Sequence, residues 1–181
     1  MKIDRIAKFK KEGGDETGHF ALTLYELIYE KRPRNVLEIG VNKGFSTNVI
    51  LSALDDLCNE DKNYKGTLYS IDINDCSTVV TDQELRRNWR FIHAGSNKYF
   101  NKFDRSLDVL VIDGGHLYSE VCNDYKNYEP FVKDGGLILV HDTISCAGPL
   151  RFWHEGHTIN FKYPRVELSW HNGLGIIQVK R

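Results

Sequence analysis

The chain has 181 residues, 24 Lys plus Arg against 25 Asp plus Glu, and 41% hydrophobic residues. That size fits a single domain over residues 1–181, large enough to bury a core without staples. The near-neutral balance lacks the basic excess of a nucleic-acid binder. No apolar run is long enough to cross a bilayer, and the start, Met1-Lys2-Ile3-Asp4-Arg5, does not read as a secretory leader. The expected setting is cytoplasmic. Cys58, Cys76, Cys122 and Cys146 are too far apart for a redox pair or zinc knuckle, and all four read as inert thiols. Cys122 and Cys146 are expected in packed regions, where a thiol behaves as a small hydrophobe.

His19 to Glu30 places Phe20, Leu24, Leu27 and Ile28 at helical spacing, and Pro33 stops the pattern. Asn35 to Ile39 is a short apolar strand. Thr47 to Leu57 is helical, with Val49, Ile50, Ala53 and Leu54 on one side. Thr67 to Ile73 is a second strand, Asp82 to Arg87 a weak helix, and Trp89 to Ala94 a third strand. Ser96 to Phe100 is one helical turn. Leu107 to Ile112 is a fourth strand, Tyr118 to Val132 a helix, and Leu137 to His141 a fifth strand entered through Gly135-Gly136. A helix covers Pro149 to Glu155. Strands Arg165 to Trp170 and Leu174 to Val179 close the chain, with His171-Asn172-Gly173 as a hairpin signal. Alternating strands and helices imply an α/β fold: a mainly parallel, doubly wound sheet of seven strands ending in an antiparallel hairpin. In such sheets ligands bind at the carboxyl ends of the strands, near the switch in strand order.

The strand ends carry the chemistry. The first runs into Glu38-Ile39-Gly40-Val41-Asn42-Lys43-Gly44-Phe45-Ser46-Thr47. Its glycines let backbone approach a ligand ahead of a helix start, and Ser46 or Thr47 is a candidate N-cap. A phosphate loop needs Lys directly after the last glycine, and a nicotinamide loop needs glycine where Asn42 stands. An acidic Glu38 beside the loop disfavours a pyrophosphate and suits the ammonium of an amino-acid-like ligand. Asp72 ends the second strand, where a carboxylate can accept the ribose hydroxyls of an adenosine. Ser96 is placed to meet an adenine edge or to cap a helix. The fourth strand ends in Asp113-Gly114-Gly115-His116, the fifth in His141-Asp142-Thr143. Asp113 and Asp142 at neighbouring strand ends can hold an oxygen-loving ion such as Mg²⁺. The imidazole of His116 suits a general base, against the plainer reading of a hydrogen-bonded structural residue, which is kept for His141. His19 is a candidate lid residue.

These stretches resemble the class I S-adenosylmethionine-dependent methyltransferases over about residues 34 to 145. Within that group they resemble the small-molecule O-methyltransferases related to the macrolide-sugar methyltransferases and the cephalosporin-hydroxylase-like proteins. The most specific part is Asp113-Gly114-Gly115-His116-Leu117-Tyr118, followed by Gly135-Gly136 and His141-Asp142. The resemblance implies a Rossmann-like domain that binds S-adenosylmethionine and moves its methyl group to a hydroxyl of a small molecule or sugar. It implies cofactor contacts from Glu38, Gly40, Gly44, Asp72, Ser96 and Asp113; Asn42, which replaces a glycine common in broader methyltransferases, and Ser46 are candidates from the same loop, and His116 and Asp113 are candidates at the reaction. Mg²⁺ on Asp113 and Asp142 is implied for metal-dependent relatives, although Thr143 stands where such relatives place a further ligand. Two rivals follow: a metal-dependent oxygenase on the same scaffold, and an inert protein that binds the cofactor without turnover. The terminal hairpin offers an edge for a homodimer.

Overall fold

The chain builds its sheet from residues whose side chains are apolar on both faces. In the strand Leu107–Ile112, Val109 and Val111 point to one side and Leu110 and Ile112 to the other. That pattern belongs to a strand covered twice. The structure is a computed structural model and describes residues 19–155, 163–169 and 172–181.

The strands are β1 (Asn35–Ile39), β2 (Thr67–Asp72), β3 (Trp89–His93), β4 (Leu107–Ile112), β5 (Val132–His141), β6 (Arg165–Leu168) and β7 (Leu174–Gln178). They form one sheet in the order β3-β2-β1-β4-β5-β7-β6. The pairs from β3 through β5 are parallel, and β7 is antiparallel to both β5 and β6. The expected doubly wound α/β sheet with an antiparallel terminal pair is therefore what the chain adopts.

The helices are α1 (residues 19–31), α2 (Phe45–Glu60), α3 (Gln83–Arg86), α4 (Ser96–Tyr99), α5 (Tyr118–Tyr128) and α6 (Ala147–His154). One layer packs Leu24 and Ile28 of α1 and Ile50, Leu54 and Leu57 of α2 onto Val36, Val109 and Leu139. The other packs Val121, Tyr125 and Tyr128 of α5 and Phe152 and Trp153 of α6 onto Leu37, Leu110, Ile138 and Val140. Each fully buried Leu or Ile contributes about 1.5–3 kcal/mol by leaving water. Among the described residues no helix is long and apolar enough to cross a membrane.

Among the boundaries that differ from the sequence reading, three have a plain local cause. Helix α2 starts at Phe45, with Gly44 as its N-cap at φ 78° and no side-chain cap, so Ser46 and Thr47 lie inside the helix. Helix α5 ends at Tyr128, because Pro130 turns the chain into a 3₁₀ segment over Glu129–Phe131. Strand β5 starts at Val132, five residues before the expected Leu137. It carries Gly135 at φ 72° through a register shift against β4, so the glycines lie within the strand rather than before it. The expected positions of Trp170 and His171 lie outside the described residues.

Candidate functional site

Chain order makes the site. After β3 the chain crosses back to place β4 on the other side of β1, so the strand order reverses between β1 and β4. Loops leaving these two strands diverge and open a crevice above their carboxyl ends. A cavity of about 740 Å³ lies there. Gly40, Asn42, Ser46 and Asp72 line it from the β1 and β2 side. Ser96, Asp113, His116 and Asp142 line it from the other strand ends. Glu38 and Gly44 are not among its lining residues.

Gly40 explains why the first loop needs glycine. Its φ is 94°, and a Cβ there would lie 2.1 Å from the Asp113 carbonyl oxygen. The same close approach lets Asp113 N–H donate to Ile39 O at 2.9 Å, tying the ends of β1 and β4 together. Gly44 is also at positive φ, against the Val79 side chain. It shapes the turn from beneath rather than facing the cavity.

Glu38 is fully buried under this loop. Its Oε2 accepts hydrogen bonds from Thr47 Oγ1 at 2.8 Å and Ser70 Oγ at 2.6 Å. Ser70 in turn accepts from Trp89 Nε1 at 2.9 Å. Burial raises the Glu38 carboxyl to about 7, against the hydroxyls of Ser70, Ser46 and Thr47, which favour the charge. Thr47 thus serves as an anchor for Glu38 instead of capping α2.

Asp72 holds the loop from the other side. Its Oδ2 accepts from the backbone N–H groups of Val41 and Asn42 at 2.8 and 3.1 Å, and its Oδ1 from Asn74 N–H at 2.8 Å. Burial works against its charge, but these three N–H groups, with the Cys76 thiol, outweigh burial and set its pKa below the ordinary value. Asp72 therefore stays an anion at the cavity wall.

Across the crevice Ser96 Oγ donates to Asp124 Oδ1 at 2.6 Å, and Tyr128 Oη donates to Ser96 O at 2.8 Å. The N-cap of α4 is Gly95, so Ser96 is free of that duty. Asp124 lines the cavity beside Asn123. Burial raises its carboxyl to about 6.

At the ends of β4 and β5, His141 Nδ1 lies 3.0 Å from Asp113 Oδ1 and 3.4 Å from Asp142 Oδ1. Burial disfavours the charged ring, but the two carboxylates outweigh it and raise its pKa to about 10. Phe20 of α1 packs on the same ring with centroids 4.2 Å apart. His141 is thus a cation bridging the two carboxylates expected to take Mg²⁺. That arrangement does not suit Mg²⁺, which demands an octahedron of oxygen ligands. Thr143, the next side chain, is fully buried and packs against Gly173.

Asp142 Oδ2 faces outward to His116 Nε2 at 3.0 Å, and Ser145 Oγ donates to Asp142 Oδ1 at 3.1 Å. The His116 ring is 54% exposed at the rim. Its Nδ1 lies 3.6 Å from Cys146 Sγ. Cys122 is buried as expected, whereas Cys146, the N-cap of α6, is only half-buried. Sequence reasoning missed Asp124, Phe20 and Cys146. Helical spacing marks Phe20 only as a core residue, and no pattern marks Asp124 or Cys146, since each comes from a different element.

The residues fit an adenosyl sulfonium better than a phosphate. Asp72, Asp113 and Asp142 face the cavity, which suits a cationic ligand with a sugar diol. A volume of about 740 Å³ lies within the range of about 300–1,000 Å³ usual for small-molecule sites.

Comparison with known proteins agrees. Residues 37–143 match the family described as methyltransferase domain. An uncharacterized protein of Sinorhizobium fredii is 26% identical over 164 residues, and one of Acanthamoeba polyphaga mimivirus is 26% identical over 153 residues. The aligned parts cover 83% and 75% of this chain but only 18% and 65% of those relatives. Among solved structures, the O-methyltransferase TomG from Streptomyces achromogenes, in complex with S-adenosylmethionine, superposes with a TM-score of 0.73. The identity is 14%, over 98% of this chain and 89% of that one. MycE methyltransferase from the mycinamycin biosynthetic pathway, in complex with Mg and SAH, gives a TM-score of 0.64 at 18% identity, over 97% and 55% of the two chains. The chain belongs to the methyltransferase domain family, built on the fold of the S-adenosylmethionine-dependent O-methyltransferases.

Proposed function

We propose that this protein binds S-adenosylmethionine over the carboxyl ends of β1, β2 and β4 and transfers its methyl group to a hydroxyl of a small molecule, with sugars among the acceptors. The observation that carries the reading is the cavity at the β1/β4 switch, with the Asp72 carboxylate held ionised at its wall. Asp72 receives the ribose hydroxyls. Gly40 and Asn42 shape the loop against the methionine part, Ser96 meets the adenine edge, and Asp113 stands by the ammonium group. Glu38 acts from below, fixing the loop through Thr47 and Ser70.

Bound there, the cofactor supplies a methyl group on a sulfonium, and displacement needs the acceptor oxygen in line with it. The protein's task is alignment and removal of one proton. His116 takes the second task. A carboxylate only accepts hydrogen bonds, so Asp142 fixes the ring N–H on Nε2 and leaves the lone pair on Nδ1. Mg²⁺ takes no part in this reading, because His141 already bridges the two carboxylates.

Calorimetric titration with S-adenosylmethionine and SAH tests the proposal. Both should bind, and Asp72→Ala should weaken both by about 1–3 kcal/mol, the scale of lost hydrogen bonds to a charged group. Unchanged affinity in Asp72→Ala would reject the ribose role. Failure of the unaltered protein to bind either compound would reject the reading as a whole.

A further inference from the structure

Methyl transfer as derived above gives no role to Cys146, yet its thiol sits among polar groups. Sγ lies 3.6 Å from His116 Nδ1, and His116 Nε2 lies 3.0 Å from Asp142 Oδ2. One donor atom from each of Cys146, His116 and Asp142 lies within 4.8 Å of the other two. We propose that Cys146, His116 and Asp142 form a binding site for a thiophilic divalent cation of the Zn²⁺ class.

The donor chemistry selects the class of ion. A thiolate, an imidazole and a single carboxylate oxygen make a sulfur–nitrogen–oxygen set, which favours Zn²⁺ or Co²⁺ over Mg²⁺ or Ca²⁺. Around a tetrahedral ion with bonds of about 2.0–2.3 Å, donors stand about 3.4–3.6 Å apart. The 3.6 Å between Sγ and Nδ1 is close to that, and one donor atom from each of the three residues lies within 4.8 Å of the others. His116 uses its two nitrogens toward two different neighbours, and its exposed ring needs only to turn to offer one nitrogen to a shared ion.

Other parts of the fold hold this set in place. Asp142 is 6% exposed and adopts φ 61°, which aims its carboxylate along the strand ends. Ser145 and His141 take its other oxygen, leaving Oδ2 for the ion. Gly148 lets α6 approach: a Cβ there would lie 2.1 Å from the His116 carbonyl oxygen. Three protein ligands, of which His116 and Asp142 line the cavity, leave a fourth position open, the pattern of a reactive or exchangeable site rather than a closed structural one.

The inference does not rest on methyl transfer, and its test needs no cofactor. If both hold, they are linked. A His116 bound to a cation through Nδ1 cannot take a proton there, so the loaded site and the free base exclude one another.

The test is titration of chelator-treated protein with Co²⁺ alone, followed by absorption. The expected result is a thiolate-to-cobalt charge-transfer band in the near ultraviolet that saturates at one ion per chain and is displaced by Zn²⁺. Cys146→Ser should abolish the band. His116→Gln, on an exposed ring, should weaken Co²⁺ binding by at least about tenfold, and it reports the same site should the serine variant misfold. Cys58→Ser and Asp113→Asn should leave the band in place. Absence of the band in the unaltered protein, or its survival in Cys146→Ser, overturns the proposal, as does binding that His116→Gln leaves unchanged.

Discussion

Asp124 on α5 accepts a 2.6 Å hydrogen bond from Ser96 on α4, a helix of four residues with no buried side chain. The carboxylate and Tyr128 therefore do much of the work of fixing one wall of the cavity.

This pair predicts a pH dependence. Burial raises the Asp124 carboxyl to about 6 in the folded state, against about 3.9 in an unfolded chain. Between those values the folded form holds the extra proton, so stability falls as pH rises from about 4 to about 6 and levels off above. Asp124→Asn keeps an acceptor for Ser96 and carries no charge to bury. Its melting temperature should lose this fall, and thermal scans across pH 4–7 read the difference.

Glu38 is the acceptor for the buried hydroxyls of Thr47 and Ser70, with that of Ser46 beside them. Glu38→Ala should destabilise the fold by about 1–3 kcal/mol, the cost of leaving buried donors unmade. Urea unfolding measures it. A loss below about 0.5 kcal/mol would mean that Thr47 and Ser70 find other partners.

Two glycines at positive φ should answer differently to alanine. At Gly40 the new methyl group meets the Asp113 backbone, whereas at Gly135 nothing lies within 4 Å. Gly135→Ala should cost only backbone strain, about 1–2 kcal/mol. Gly40→Ala should cost more and also abolish cofactor binding, because β1 and β4 must move apart. Unfolding curves and calorimetry on the pair separate strain from collision.

His116→Ala should leave the affinity for S-adenosylmethionine intact and slow methyl transfer by about 100-fold or more, the usual worth of a general base. The assay is transfer of labelled methyl to whichever hydroxylated small molecule supports turnover. Full retained turnover would make His116 structural.

Much of the scaffold was legible because each strand is a run of β-branched or aliphatic residues ended by polar or glycine residues. Val36-Leu37 and Val109-Leu110-Val111-Ile112 could only be strands covered on both faces. The boundaries that escaped depend on context. Pro130 ends α5, but a helical pattern runs across it, and Gly135 looks like a turn until β4 supplies the register for a kinked strand. At the site, Gly40, Asp72, Asp113 and His116 announce themselves by standing where apolar strands stop. Asp124 and Cys146 do not. One sits inside an ordinary helix and the other opens one, and only the packing of α5 and α6 beside the sheet brings Asp124 to the cavity and Cys146 to His116. The pairing of His141 with Asp113 was hidden for the same reason: 28 residues separate them, and adjacent parallel strands join them.

The strand order also constrains how the molecule is assembled. Strand β6 comes off the ribosome before β7, yet its partner in the sheet is β7, which lies between it and β5. Until β7 emerges, β6 has nothing to pair with and the flank of β5 is open, so the parallel half can dock early while this corner waits. Shortening the chain by the stretch from Leu174 to Gln178 would thus release two strands rather than one.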